Sequence, residues 1–229
     1  STHHIETGAR FPTYLTRCFA YHAPQGRYAF PGIEKPIVIT TNEASRAQAS
    51  DALGKAIYVL PQDAVRTLVE AVVQATRPER QAELDNLFMS DKPMTWAHVK
   101  KLSDSGVEIG AHCNEHAILH RGQTAGEVLR QVTISKQAVT EHLGRCRYFA
   151  FPVGGVNQIG PDSAAAVREA GFEAAFTTIN GTLPASRDPF LHPRVMLHND
   201  PHDNESMFPF VGLRFDRNLK RAQAAVKAA

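Results

Sequence analysis

The sequence predicts an α/β fold built on parallel strands, and three observations predict it. From residue 95 onward, short β-branched or aromatic runs alternate with stretches of helical period. Such alternation implies parallel strands joined by crossover helices. The helical stretches carry their own punctuation: Thr95, Thr124 and Asp162 stand where N-caps belong, and Gly106, Gly144 and Gly171 stand where helices stop. Finally, 43% hydrophobic and 21% charged residues over 229 positions describe a globular chain with enough apolar material for one large domain.

The elements follow in order. Residues 1–36 mix aromatics with Phe11-Pro12, Ala23-Pro24 and Pro31-Gly32 and hold no sustained period, so they read as an irregular N-terminal arm with at most one short strand. The β-branched run 37–41 lies between Pro36 and Asn42 and reads as a buried strand of the parallel sheet. After Pro61, the residues Val65, Leu68, Val69, Val72 and Val73 fall on one face of a helix over 62–76, and a second helix covers 79–88; together, 60–92 look like a helical insertion. Thr95 caps a helix through Trp96, Val99 and Leu102. A strand is expected at 107–111, a helix opened by a capping box at Thr124–Glu127, a strand at 147–151, an Ala-rich helix capped by Asp162, a strand at 172–178 and a basic helix over 216–229. The whole reads as a single domain with its core over 94–200.

Composition excludes several classes. Lys and Arg number 25 against 23 Asp and Glu, a net charge of +2, which is not the clustered basic excess of a nucleic-acid binder. No apolar run approaches the ~20 residues that cross a bilayer. No secretory signal is visible in a chain that begins at Ser1 without a Met, which favours the cytoplasm as an expectation. Cys18, Cys113 and Cys146 are odd in number and form no CxxC, so neither a disulfide scaffold nor a zinc ribbon is expected.

Three segments could carry chemistry. The run 107–111 leads straight into His112 and His116, four residues apart, at a strand end, where α/β folds build their sites. Two imidazoles there can share a divalent ion if the loop curls, or can be two ordinary loop histidines among the chain's eleven. Cys113 between them is a pocket wall or incidental. The run 147–151 leads into Pro152, Val153, Gly154 and Gly155, where glycines allow a sharp turn and an exposed Val153 N–H could hold an oxyanion; an ordinary strand-to-loop turn is the alternative. His198 opens a polar cluster with His202, Asp203 and Glu205 and is a candidate acid or base, or part of a solvated loop. No GxGxxG or P-loop pattern occurs, and no serine sits in a nucleophile elbow.

In order and spacing, these segments resemble a polysaccharide deacetylase of the NodB-homology type, carbohydrate esterase family 4. The resemblance is carried by Met94-Thr95-Trp96, the run from Leu102 to His112 and on to His116 and Leu119, Ile134-Ser135-Lys136, Phe149-Ala150-Phe151-Pro152-Val153-Gly154-Gly155, Ala170-Gly171-Phe172, Ala175-Phe176-Thr177-Thr178 and Pro193-Arg194-Val195. It implies a distorted or incomplete (β/α) barrel. It also implies a hydrolase that removes N- or O-acetyl groups from a carbohydrate with a divalent metal, usually zinc. His112 and His116 correspond to the two histidine ligands, with Cys113 in the place of a usual Ser or Thr. Phe151, Pro152 and Gly154 fall on the substrate loop, Val153 replaces an aromatic there and supplies the oxyanion N–H, and His198 corresponds to the general acid.

One departure matters. The family's Thr-Phe-Asp-Asp-Gly motif supplies a base and a third metal ligand, and no Asp-Asp pair occurs anywhere in this sequence. Thr40-Thr41-Asn42-Glu43-Ala44 is the only similar stretch, and 37–41 is better matched to the family's second strand. The expectation is therefore a deacetylase-like hydrolase with impaired activity. Glu43, Asp200, Asp203, a second chain of a homo-oligomer or sequence upstream of Ser1 would have to supply the missing carboxylate. The competing reading is a catalytically inactive carbohydrate-binding or interaction module from which the metal is also lost. A metal-free hydrolase of cyclic amides is a third.

Overall fold

The structure, a computed structural model, describes residues 1–181 and 188–194. The N-terminal part is helical where an irregular arm was expected. Helix α1 covers Thr2–Thr7 and stops at Gly8, whose φ of 71° is the left-handed geometry that glycine adopts without strain. Helix α2, Pro12–His22, starts with Pro12 in its first turn, where a missing N–H costs nothing. Its buried face holds Thr16, Cys18, Phe19 and Ala20, so Phe19, with Phe30 beyond the helix, is a core residue and Pro12 marks a helix boundary.

Strands β1 (Gly26–Tyr28) and β2 (Ile37–Ile39) form an antiparallel pair, with Arg27 opposite Val38. The strand expected at 37–41 exists, but it pairs with β1 and is not part of the parallel sheet. The intervening chain reverses through Pro31 and Gly32, the latter at φ 75°. Helix α3, Glu43–Val59, was not anticipated: Asn42 caps it by accepting the Ala44 N–H at 2.8 Å, and Ala49, Leu53, Ala56 and Ile57 form its buried stripe. Glu43 is thereby an exposed first-turn residue of a helix. Helices α4 (Gln62–Thr76) and α5 (Pro78–Leu87) follow, close to their expected places.

The second half follows the alternating pattern. Helix α6, Trp96–Asp104, has a full capping box between Thr95 and His98. Helix α7 spans Ala125–Leu143; Thr124 accepts the Glu127 N–H, but the Glu127 carboxylate turns away to arginines, so only half of the expected capping box forms. Strand β3 (Tyr148–Ala150), helix α8 (Ser163–Glu169), strand β4 (Ala174–Asn180) and strand β5 (His192–Arg194) complete the described elements. Asp162 precedes α8 without a side-chain cap bond.

The sheet is open, with parallel order β3-β4-β5. The strand expected over 107–111 shrinks to Ala111, which bridges Phe149 in parallel. Gly106 at φ 93° turns the chain just before, and the sheet edge comes so close at Gly110 that a Cβ there would lie 2.8 Å from the Tyr148 carbonyl oxygen. No closed barrel forms among the described residues, and the helix expected over 216–229 lies outside them.

Two apolar clusters hold the molecule. One joins the sheet to α7 and α8 through Leu119, Val132, Phe149, Phe151, Val167 and Ala175. The other gathers Phe19, Phe30, Ile39, Leu53, Leu68 and Val72 around β1–β2. Each fully buried side chain of this size contributes roughly 1.5–3 kcal/mol. No described helix is long and apolar enough to cross a membrane.

Candidate functional site

Ala111 is the last residue of the rudimentary edge strand, fixed by its N–H to Tyr148 and by its carbonyl to the Ala150 N–H, both 2.9 Å. The chain then leaves the sheet, so the His112 ring hangs over the end of β3, with Nδ1 2.7 Å from the Ala150 carbonyl oxygen. A carbonyl can only accept, so Nδ1 carries the proton and Nε2 keeps its lone pair. Cys113 and His116 both adopt left-handed backbone, at φ 56° and 59°. These two turns curl the loop and bring the imidazoles of His112 and His116 to 4.8 Å between centroids, edge to face.

Burial pushes the His112 pKa down to about 4, against its donation to the Ala150 carbonyl, which favours the charged form, and the nearby N-terminal amine and Arg194 lower it further. Burial likewise pushes His116 down to about 3, aided by His112. Both rings are therefore neutral at pH 7, the state that ligates a metal. Cys113 is fully buried, and burial pushes its thiol well above the usual range, so it is an inert core residue.

The pair opens onto a cavity of about 590 Å³. The rest of its lining includes Phe11, whose ring packs edge-on against His116 at 5.5 Å between centroids, Tyr14, Arg17 and Tyr21 of α2, and Phe88 and Asp91 just beyond α5. Asp91 is the one carboxylate among the described lining residues. These residues were missed because they fall in segments read as an arm and an insertion. Pro12 followed by apolar residues at helical spacing was the available signal.

The turn at 152–154 is placed differently. Phe151 is a core residue, 1% exposed, whose N–H bonds the Phe176 carbonyl. Val153 and Gly154 take left-handed backbone at φ 58° and 62°. Thr178 holds both: its hydroxyl donates to the Val153 carbonyl and its N–H to the Gly154 carbonyl. The Val153 N–H donates to no group among the described residues. None of Phe151, Pro152, Val153 or Gly154 is among the described lining of the cavity at the histidine pair. The structure thus brings the His112 and His116 rings together, 4.8 Å apart. His198, Asp200 and Asp203 lie outside the described residues.

A divalent ion fits the pair in part. His112 offers Nε2, and His116 stands beside it. Among the described residues, no group of three His, Cys, Asp or Glu side chains is placed to hold a metal. Glu115, the nearest carboxylate in sequence, is engaged elsewhere, by Gln62, Arg66 and Arg130.

Among solved structures, the chain is similar to the Streptococcus pyogenes deacetylase PplD in complex with acetate, at 18% identity and a TM-score of 0.44 over 52% of this chain and 51% of that one. It is also similar to IcaB from Ammonifex degensii, at 20% identity and 0.38 over 50% and 52%. A third is a de-N-acetylase from Aggregatibacter actinomycetemcomitans, at 13% identity and 0.41 over 50% and 53%. The chain spans about half the length of each. No curated protein matches it. Residues 60–175, about half the sequence, match the family described as polysaccharide deacetylase, a stretch running from the start of α4 through the histidine loop and the 152–154 turn into β4, and the chain belongs to that family.

Proposed function

We propose that this chain is a deacetylase-type hydrolase fold whose cavity receives an acetylated saccharide at the histidine pair, with hydrolysis impaired in the chain as it stands. The observation that supports this most is the convergence of two neutral, largely buried imidazoles at the wall of a cavity of about 590 Å³. His112 and His116 would hold a divalent ion, zinc by analogy with the family, and that ion would supply Lewis acidity toward an acetyl carbonyl. The Val153 N–H, which donates to no group among the described residues, is the candidate oxyanion donor, with Phe151, Pro152 and Gly154 shaping the turn that presents it, and His198 is the candidate acid. Asp91 is the carboxylate available in the cavity for taking a proton from water, a role that Glu43, exposed at the start of α3, is not placed to fill.

The impairment follows from that carboxylate. A positioned general base contributes about 10²–10⁴-fold, and Asp91 forms no third ligand with the two histidines. A binding module is the second reading. It is favoured by the way Glu115 is already neutralised by two arginines. The test measures Co²⁺ binding and acetate release from acetylated chito-oligosaccharide, comparing the parent chain with His112→Ala and Asp91→Asn. Slow release that both substitutions abolish supports the proposal. Saccharide binding without release in any of them supports the module, and neither binding nor release refutes both.

A further inference from the structure

We infer that Glu115 is a positioning residue: with Arg66, Glu127 and Arg130 it forms a charge-balanced clamp that holds the 112–116 loop in the curl that makes the histidine pair. This rests on the reading of His112 and His116 as the working pair.

The clamp joins three separate parts of the chain. Arg66 of α4 donates Nε to Glu115 at 2.8 Å and Nη2 to Glu127 at 2.6 Å. Arg130 of α7 donates Nη2 to the other Glu115 oxygen at 2.9 Å and binds Glu127 through Nε and Nη2, both 2.9 Å. Two carboxylates and two guanidiniums thus close a ring in which each carboxylate meets both cations. Gln62 adds a third donor to Glu115 at 3.1 Å. The carboxylates are shielded, at 16% and 18% side-chain exposure, while the guanidiniums of Arg66 and Arg130 reach partly into solvent, so the contacts are less screened than fully exposed pairs.

The loop's backbone is fastened to the same helix. Gln131 accepts the Glu115 N–H on its side-chain oxygen at 2.8 Å, accepts the Asn114 N–H on its carbonyl at 3.1 Å and donates its amide to Glu127 at 2.9 Å. Gln131 is completely buried. Both flanking turns need such support, because Cys113 and His116 occupy left-handed backbone that non-glycine residues adopt only when their surroundings impose it. Glu115 immediately precedes His116, so a carboxylate held at three points fixes where the next residue starts its turn. Without the clamp, the loop is free to relax toward ordinary backbone and carry the His116 ring away from His112.

The experiment is read in the metal-free protein, so it does not depend on metal or turnover. Selective labelling of histidine would detect the ring-to-ring nuclear Overhauser effect between His112 and His116. Glu115→Ala should abolish it while the far-ultraviolet circular dichroism keeps its helical amplitude. Glu115→Gln, which keeps the length and an acceptor oxygen, should retain part of it. Should Glu115→Ala fail to fold, Arg66→Met, Arg130→Met and the double substitution give a graded series, with the signal weakest in the double. In the same series, Co²⁺ affinity should fall at least tenfold from parent to the most disrupted variant that folds. An undiminished ring-to-ring signal in Glu115→Ala or in the double variant overturns the clamp. A parent that shows the signal but takes up no Co²⁺ leaves the clamp standing and removes the metal reading.

Discussion

His112 meets Ala150 across the sheet edge, ring Nδ1 to carbonyl oxygen at 2.7 Å, so the strand end itself selects which imidazole nitrogen stays available. If Nε2 is the ligating atom, His112→Ala and His116→Ala should each reduce Co²⁺ affinity by more than about tenfold, since losing even a supporting partner of a metal ligand typically costs 10–100-fold. Isothermal titration of the three proteins checks this, and equal affinities would remove the pair from the metal question.

Acid should destabilise the metal-free protein before most carboxylates are protonated. In the unfolded chain these histidines titrate near 6.5; in the folded protein, burial lowers His112 to about 4 and His116 to about 3. The unfolded state therefore binds protons first. The stability contributed by the neutral rings is complete above pH 6.5 and is lost as pH falls toward 4 and 3. At 1.36 kcal/mol per pKa unit, His112 alone accounts for roughly 3 kcal/mol. Urea midpoints measured with a chelator between pH 7 and pH 4 should fall, and His112→Gln should flatten the slope. Glu115, burial notwithstanding, is held at about 2 by Arg66, Arg130 and Gln62. Its share is therefore present above 4.5 and disappears only as pH drops toward 2.

Gly154→Ala should cost about 1–3 kcal/mol and several degrees of melting temperature. A Cβ there would sit 2.9 Å from the Phe151 carbonyl oxygen and 3.1 Å from the Thr178 nitrogen, at a φ of 62°. Gly54→Ala, inside α3 with nothing within 4 Å of the new carbon, should instead stabilise by about 0.5–1 kcal/mol. Thermal melts of the two variants should move in opposite directions.

Tyr21 lines the cavity and is 42% exposed. Tyr21→Ala should weaken binding of acetylated chito-oligosaccharide about three- to tenfold, the range for losing one aromatic face. Val156→Ala, which alters an exposed residue that is not among the cavity lining, should leave binding unchanged. Fluorescence titration would distinguish them.

What could be read from the sequence follows from how local each signal is. Thr95, Thr124 and the helices they begin were legible because capping acts over three or four residues. Strands near 148–150 and 174–180 were legible from β-branched and aromatic runs. The pairing of Ile37–Ile39 with Gly26–Tyr28 was not, because strand partners are chosen by tertiary packing and the run looks the same in either sheet. Helix α3 was missed because half of its buried stripe, Ala49 and Ala56, is alanine and carries a weak apolar signal. That the His112 and His116 rings could come close was legible from their spacing of four. Glu115 was not, since its partners come from residues 49 and 15 positions away. The cavity lining from Phe11 to Tyr21 belonged to a segment whose prolines suggested an irregular arm, whereas Pro12 marks a helix start.

Among the described residues the two apolar clusters share no residue, yet the cavity is lined both by His112 and His116, next in sequence to the first cluster, and by Cys18 and Tyr21, next in sequence to the second. Two such units can melt as partly separate cooperative blocks. A ligand seated between Tyr21 and His116, as proposed for an acetylated saccharide, would bind only when both blocks are formed, so its binding free energy would be lost whichever block opens first. Such a ligand would act as a thermodynamic bolt. Calorimetric scans that show two overlapping endotherms without saccharide should merge toward one, at higher temperature, when it is present.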